Sequence, residues 1–316
     1  MSVYNEPEEW LRESIDSILN QTFSDFEFII INDNPERELN CKVLNDYQKQ
    51  DERIVVVENE YNIGLTKSLN KGLEIAKGKY IARMDADDIS LPERLKKQVG
   101  FMESHAQIGV CGASILCFGR RNQKQFYPEN DKDCFIFQRS PFAHPTVMIR
   151  NCVLKSGNYF YNSEFRYAQD YELWSRLSKV TCFHNLPEIL LKYRVTDAQL
   201  TSKHYREQQF WAAQIRRRGF YSFCKKKNID FYLSEDLSIK DVLGLKREVF
   251  PVLYCRKERQ AVKDFCYYLY RSITMSSVWK TLWYWFSSGD FLMFSLKQNI
   301  RIVVYNLFRY RVVPML

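Results

Sequence analysis

The stretch Lys79-Tyr80-Ile81-Ala82-Arg83-Met84-Asp85-Ala86-Asp87-Asp88-Ile89-Ser90-Leu91-Pro92-Glu93-Arg94 sets three carboxylates within four residues, between a strand-like segment and a helix start. Lys79 to Met84 is short, half apolar and preceded by Gly78, so it reads as a strand. Pro92 fits the first turn of a helix that runs on through Leu95, Val99 and Met102. Asp85, Asp87 and Asp88 then lie beyond the carboxyl end of a strand, where open α/β sheets bind ligands. Carboxylates packed this closely repel one another and are best stabilised by a divalent cation. One or two carboxylates completed by ligand phosphates is the usual Mg²⁺ or Mn²⁺ arrangement. The other reading of the same residues is an acidic helix N-terminus capped by Asp87 or Asp88.

Working outward, strands and helices alternate. Trp10, Leu11, Ser14, Ile15, Ile18 and Leu19 recur at helical spacing, and Phe26 to Ile31 is a continuous apolar run of the kind a strand buried on both faces shows. The run ends on the turn residues Asn32-Asp33-Asn34-Pro35. A polar helix over 37–50 leads to the buried-strand signal Ile54-Val55-Val56-Val57. Gly64 opens an amphipathic helix with Leu65, Leu69, Leu73 and Ala76 on one face, closed by Gly78. Repeated βα units of this size predict a mainly parallel sheet flanked by helices, with Asp33 and the Asp85/Asp87 cluster on one rim.

The segments Ser2-Val3-Tyr4-Asn5-Glu6, Ser17-Ile18-Leu19-Asn20-Gln21-Thr22, Ile31-Asn32-Asp33, Asn62-Ile63-Gly64-Leu65, the Gly78–Asp88 run, His144-Pro145-Thr146 and Asp170-Tyr171-Glu172-Leu173-Trp174 together resemble family 2 glycosyltransferases. In particular they look like the bacterial enzymes of capsule, exopolysaccharide and lipopolysaccharide assembly. The resemblance covers residues 1–200. It implies a glycosyltransferase-A fold, a Rossmann-like, mostly parallel α/β sheet, followed by a C-terminal helical region over 201–316.

Carried over residue by residue, the resemblance places the donor, a nucleotide-diphosphate sugar and in first expectation a UDP-sugar, against Tyr4, Glu6, Asp33, Lys67, Asp85 and Ala86. Asp33 matches the aspartate that holds the base, and Tyr4 the tyrosine near it. Asp85 and Asp87 match the metal-binding Asp-x-Asp, with Asp87 the direct ligand and Asp85 nearer the ribose. The metal neutralises charge building on the leaving diphosphate. Inversion needs a carboxylate on the face of the sugar opposite the leaving group, and Asp170 matches that base. Its place at a helix N-terminus would depress its pKa. His144 and Trp174 fall on the acceptor side.

Three departures from the family pattern stand out. Gln169 replaces the usual Glu before Asp170, and Thr196 replaces a histidine after Tyr193-Arg194. Relatives also open with an apolar strand just before the Ser2-Val3-Tyr4-Asn5 equivalent, so the first strand is expected to be truncated here, or the translation start to lie upstream. The Gln-x-x-Arg-Trp signature of processive synthases is absent, which favours addition of a single sugar. These departures motivate a second reading, a catalytically silent glycosyltransferase-like scaffold at the membrane.

Composition fits an enzyme that meets a membrane. At 316 residues the chain can bury a large core. Nine cysteines without Cys-x-x-Cys argue for reduced thiols rather than a disulfide framework. No signal peptide opens the sequence, and a cytoplasmic, peripheral inner-membrane location is expected. Residues 1–200 hold 25 Lys+Arg against 29 Asp+Glu, whereas residues 201–316 hold 21 against 9. The basic surplus therefore belongs to the C-terminal part. There, over 261–316, aromatics interleaved with cations suit peripheral contact with anionic lipid, and the acceptor is expected to be a glycan or lipid-linked intermediate. No recognised nucleic-acid fold accompanies this tail, so nucleic acid is not an expected partner.

Overall fold

The computed structural model describes residues 1–129, 136–196, 204–234 and 239–272. The chain divides into two compact units, one of residues 1–136 and 140–215, the other of residues 137–139 and the chain from Arg216 onward.

In the first unit, β1 (Ser2–Val3), β2 (Phe28–Asn32) and β3 (Ile54–Glu58) form a parallel sheet in that order. Between them lie α1 (Glu8–Leu19) and α2 (Glu38–Gln50), and α3 (Leu65–Ile75) follows β3. Leu11, Ile15 and Ile18 of α1 and Val43, Leu44 and Tyr47 of α2 bury their stripes with Phe28 and Ile30 of β2. Leu69 of α3 joins a separate cluster with Val110, Ile149, Trp174 and Leu177. β2 is apolar from Phe28 to Ile31 because helices cover both faces. Each fully buried aliphatic side chain there contributes roughly 1.5–3 kcal/mol. Gly64 enters α3 at φ 86°, a left-handed conformation that side chains disfavour.

The second sheet contains β4 (Tyr80–Ala82), β5 (Ile89–Ser90), β6 (Ile108–Gly119), β7 (Gln123–Gln125), β8 (Met148–Arg150) and β9 (Cys182–Val195), in the order β4-β8-β6-β9-β5 with β7 beside β6. Parallel pairing recurs in β6–β9, while the other pairs are antiparallel. α4 (Arg94–Ser104) follows β5, α5 (Asn151–Ser156) follows β8, and α6 (Gln169–Leu177) precedes β9. The α/β layering matches the sequence reading. Two local expectations change. Pro92 lies just ahead of α4, whose cap position is Glu93, because Ile89-Ser90 is drawn into pairing with Lys192 and Leu191 of β9. α3 ends at Ile75 with Ala76 as its cap, two residues short of Gly78.

β1 is two residues long and pairs with β2 alone among the described residues, and β4 pairs with β8 alone.

In the second unit, α7 (Tyr205–Lys226) enters from the first unit, and α8 (Ile239–Gly244) and α9 (Arg256–Ser272) follow. Phe220 stacks on Phe265 at 4.5 Å and meets Phe137 edge-on at 5.6 Å. Much of the basic run is used internally. The Arg216 guanidinium lies 4.0 Å over Tyr268, Arg217 donates to Leu233 O at 2.8 Å, and Lys227 pairs with Glu258 at 2.6 Å. Residues 273–316, with most of the aromatic tail, lie outside the described residues. No helix among the described residues is long and apolar enough to cross a membrane.

Candidate active site

The Asp-rich segment is a turn between β4 and β5. Its three carboxylates bring oxygens within 4.8 Å of one another. The turn is held from both sides. From α1, Ser14 Oγ donates to Asp85 O at 2.8 Å, and Ser17 Oγ accepts from Ser90 N at 3.0 Å. From the end of β9, Arg194 Nε donates to Asp87 O at 2.7 Å and Arg194 N to Asp88 Oδ1 at 2.8 Å. The Arg194 guanidinium also pairs with Glu13 and lies 4.7 Å over Trp10. Asp88 is 1% exposed and serves as an anchor to β9. Neither Asp87 nor Asp88 caps a helix, since α4 begins at Arg94.

Burial, then Asp85, then Glu6 push the Asp87 carboxyl up to about 7. Burial, then Asp85 and Asp87, raise Asp88 well above the carboxylate range. Asp87 and Asp88, which resist ionising, and Asp85 beside them are a donor set that a hard divalent cation would neutralise, and Asp88 Oδ2 is buried with no hydrogen-bond partner. Asp85 is paired with the buried guanidinium of Arg83. The residues therefore fit a cation held by Asp87 with Asp85 beside it.

Tyr4, expected beside the base, is 48% exposed, and its N–H donates to Glu6 Oε2 at 2.9 Å. Its carbonyl accepts from Asn40, and Arg37 donates to Glu6 O at 2.7 Å. Burial raises the Glu6 pKa. Asp33 behaves differently from its expected role. Its carboxylate accepts from Asn59 Nδ2 at 2.8 Å, Ile63 N at 2.9 Å and Gly64 N at 3.0 Å. Three of about four acceptor sites are spent on shaping the 62–64 loop, which leaves one for a ligand. Lys67 is exposed on the first turn of α3, and Ala86 is 3% exposed within the Asp-rich turn.

Asp170 is the second residue of α6. Position at a helix N-terminus predicts a depressed pKa, yet burial, the largest influence, raises it. The N–H of Tyr171, its own N–H and Arg83 act against the rise, and Asp85 adds to it. His144 Nε2 lies 2.9 Å from Tyr161 Oη, and burial followed by the Arg83 charge holds its pKa well below the usual value. Trp174 corrects an expectation. It has no exposure and packs edge-on against Phe142 at 5.4 Å, so it is core backing for His144 rather than an acceptor contact. Arg83, Tyr161, Arg194 and Asn59 were not singled out from the sequence. Arg83 was the most findable, as a charge inside a strand in phase with Asp85. Arg94 is fully buried and joins two main chains, donating to Pro145 O at 2.6 Å and to Arg83 O at 2.9 Å.

Residues 1–163 match Glycosyl transferase family 2. The chain belongs to that family. The glycosyltransferase MJ1057 of Methanocaldococcus jannaschii is 37% identical over 234 residues, 72% of this chain and 77% of that protein. The O-antigen biosynthesis glycosyltransferase WbnJ of Escherichia coli is 36% identical over 236 residues, 70% of this chain and 86% of that protein. The crystal structure of S. aureus TarS 1–349 in complex with UDP is similar in fold, with TM-score 0.57 and 17% identity, over 98% of this chain and 91% of that one. This family 2 protein is therefore a glycosyltransferase of the glycosyltransferase-A type, with its Asp-x-Asp at Asp85 to Asp87.

Proposed function

We propose that this glycosyltransferase transfers one sugar, with inversion, from a UDP-sugar to a hydroxyl of a growing cell-surface glycan, at a lipid-linked intermediate. The observation that carries the reading is the Asp85/Asp87/Asp88 turn, together with a separate enclosed carboxylate at Asp170 whose charge field it shares through Arg83. In the transfer, the acceptor oxygen bonds to the anomeric carbon as that carbon's bond to the diphosphate oxygen breaks. Asp170 takes the acceptor hydroxyl proton, and UDP leaves. A divalent cation held by Asp87 and Asp85 would neutralise the charge that develops on the diphosphate. Arg83, paired with Asp85, orients that carboxylate beside it. Uridine is supported by the UDP complex of TarS, and a surface glycan by the printed role of WbnJ. Peripheral contact with anionic lipid rests on the basic surplus of residues 201–316.

The test is donor hydrolysis and transfer across a panel of nucleotide sugars, with Mn²⁺, Mg²⁺ or chelator. Release of one nucleotide that needs metal and is lost in Asp87→Ala is the expected result. Metal-dependent UDP binding with no turnover of any donor on a lipid-linked acceptor panel would favour the silent scaffold.

A further inference from the structure

Between α5 and α6 the chain carries Tyr161, an aromatic side chain that is 5% exposed. A buried phenol needs a hydrogen-bond partner. Here the partner is His144, whose Nε2 lies 2.9 Å from Tyr161 Oη, with the two rings edge-on at 5.5 Å. Each residue is also fixed independently of that bond. Asn70 of α3 clamps the Tyr161 main chain, its Nδ2 donating to Tyr161 O and its Oδ1 accepting from Tyr161 N, each at 2.9 Å. His144 opens the short turn His144–Thr146, where Arg94 holds Pro145 O, and Trp174 meets the imidazole edge-on at 6.2 Å. The bond therefore joins two preset rings.

A neutral imidazole offers two ways to place the shared proton. Either Tyr161 donates to Nε2 and the ring carries its hydrogen on Nδ1, or Nε2–H donates to the phenol oxygen. The phenol O–H is more acidic than a neutral imidazole N–H, and so is the better donor. Burial raises the Tyr161 pKa, so the phenol stays protonated, while burial and then the Arg83 charge keep His144 neutral with one nitrogen free to accept. A phenol oxygen that donates also keeps its lone pairs for the Arg83 cation, which acts on both rings.

The second ring nitrogen faces outward. His144 is half-buried, and its Nδ1 has no hydrogen-bond partner among the described residues and is not enclosed. With Nε2 spent on Tyr161, Nδ1–H is an unpaired donor on a rigid ring. Asp170 acts on Tyr161, and Arg83 acts on His144, Tyr161 and Asp170, so this donor and the Asp170 carboxylate share one neighbourhood. A donor near a carboxylate is complementary to two adjacent sugar oxygens, one that gives up a proton and one that accepts a hydrogen bond.

We infer that Tyr161 is a positioning residue for the acceptor: it holds His144 as the Nδ1–H tautomer, and that N–H donates to the acceptor oxygen next to the hydroxyl that reacts. The acceptor is then a sugar with oxygens on adjacent carbons. The opposite tautomer presents a lone pair instead, which an oxygen without a hydrogen cannot answer. The acceptor contact rests on the proposed transferase reading with Asp170 as base, whereas the tautomer assignment does not.

The experiment uses the full chain with isotope-labelled histidine, as wild type, Tyr161→Phe, His144→Asn and the double variant. Long-range proton–nitrogen correlation reads the tautomer of His144, whose signals are those lost in His144→Asn. The inference expects Nδ1 protonated and Nε2 bare in the wild type, and a rise of the Nε2–H form in Tyr161→Phe. Phenylalanine keeps the ring and the Asn70 clamp acts on the main chain, so the fold is retained. Nε2–H in the wild type overturns the assignment, as does one tautomer common to both chains. A second arm measures transfer to octyl glycosides of galactose, glucose and N-acetylglucosamine. Losing the set tautomer is expected to raise KM for the glycoside about tenfold, with KM for the donor unchanged. Asparagine places an amide N–H near the Nδ1 position, so Tyr161→Phe should add nothing in the His144→Asn chain. An equal rise in both KM values, or additive effects of the two substitutions, overturns the acceptor contact. Transfer to none of the glycosides by the wild type counts against the transferase reading, and the tautomer spectra still uphold or overturn the role of Tyr161.

Discussion

Asp170 and Asp87 are both carboxylates with raised pKa values, and the two shifts have different consequences. For Asp170, burial puts the ionised form at a disadvantage, so a base at this position gains activity as pH rises through a pKa above the ordinary 3.8. The acid limb of kcat/KM is expected to lie above that value. Asp170→Asn should lower transfer by roughly 10²–10⁴-fold while nucleotide binding is kept, as read by turnover and calorimetry. For Asp87, the folded state holds its proton to about 7 while the unfolded chain releases it near 3.8. Across that window the folded state binds more protons, so metal-free stability falls as pH rises. The comparison of wild type with Asp87→Asn isolates this contribution. Thermal melts from pH 4.5 to 7.5 should show the wild type losing more Tm than the variant, and Mn²⁺ should restore it.

At the scale of elements, the Asp-rich turn depends on connections from α1 and β9. Arg194→Met removes the bond to Asp87 O and the pairing with Glu13. A hydrogen bond to a charged group is worth about 1.5–3 kcal/mol, so metal or nucleotide affinity should drop roughly 10–100-fold with little change in far-UV circular dichroism. Gln21 joins α1 to β5 and α4. Its amide donates to Ser17 O, Ser90 Oγ and Leu91 O, and its carbonyl accepts from Leu95 N. Gln21→Ala leaves several of these buried groups unpaired and should cost about 2–4 kcal/mol in urea unfolding. The α1, β2, α2 and β3 assignments were legible because their apolar periodicity is strong and local. β5 was not, because two residues become a strand only through Lys192 and Leu191, a hundred residues away. The aspartates at the site could be named from order and spacing. The spending of Asp33 on the 62–64 loop could not, because it depends on main-chain N–H groups that no side-chain pattern encodes. The pKa of Asp170 also escaped, since helix position is visible in a sequence and enclosure by other elements is not.

On the scale of the whole molecule, the open groove of about 550 Å³ lined by Ile29 and Ile31 of β2 and Ile81 of β4 presents an apolar surface to solvent, and the protein is expected to bind the apolar dye ANS, read as a fluorescence rise. The second unit is stabilised by its own aromatic core, and its Arg216, Arg217 and Lys227 are engaged internally. Lipid attraction must then draw on its other cations, and vesicle binding should require anionic lipid and weaken between 0.05 and 0.5 M salt, concentrations on the order of those that shorten the Debye length several-fold. Buried Arg94 has a consequence beyond stability. By bonding Pro145 O and Arg83 O at once, it rivets the main chain beside His144 to the main chain beside Asp85. Two substrates gripped by those two segments would meet at a spacing set before either arrives. Their collision becomes an intramolecular event, with the effective concentration of such an event; binding offsets the translational entropy of that encounter, and folding has already fixed the spacing.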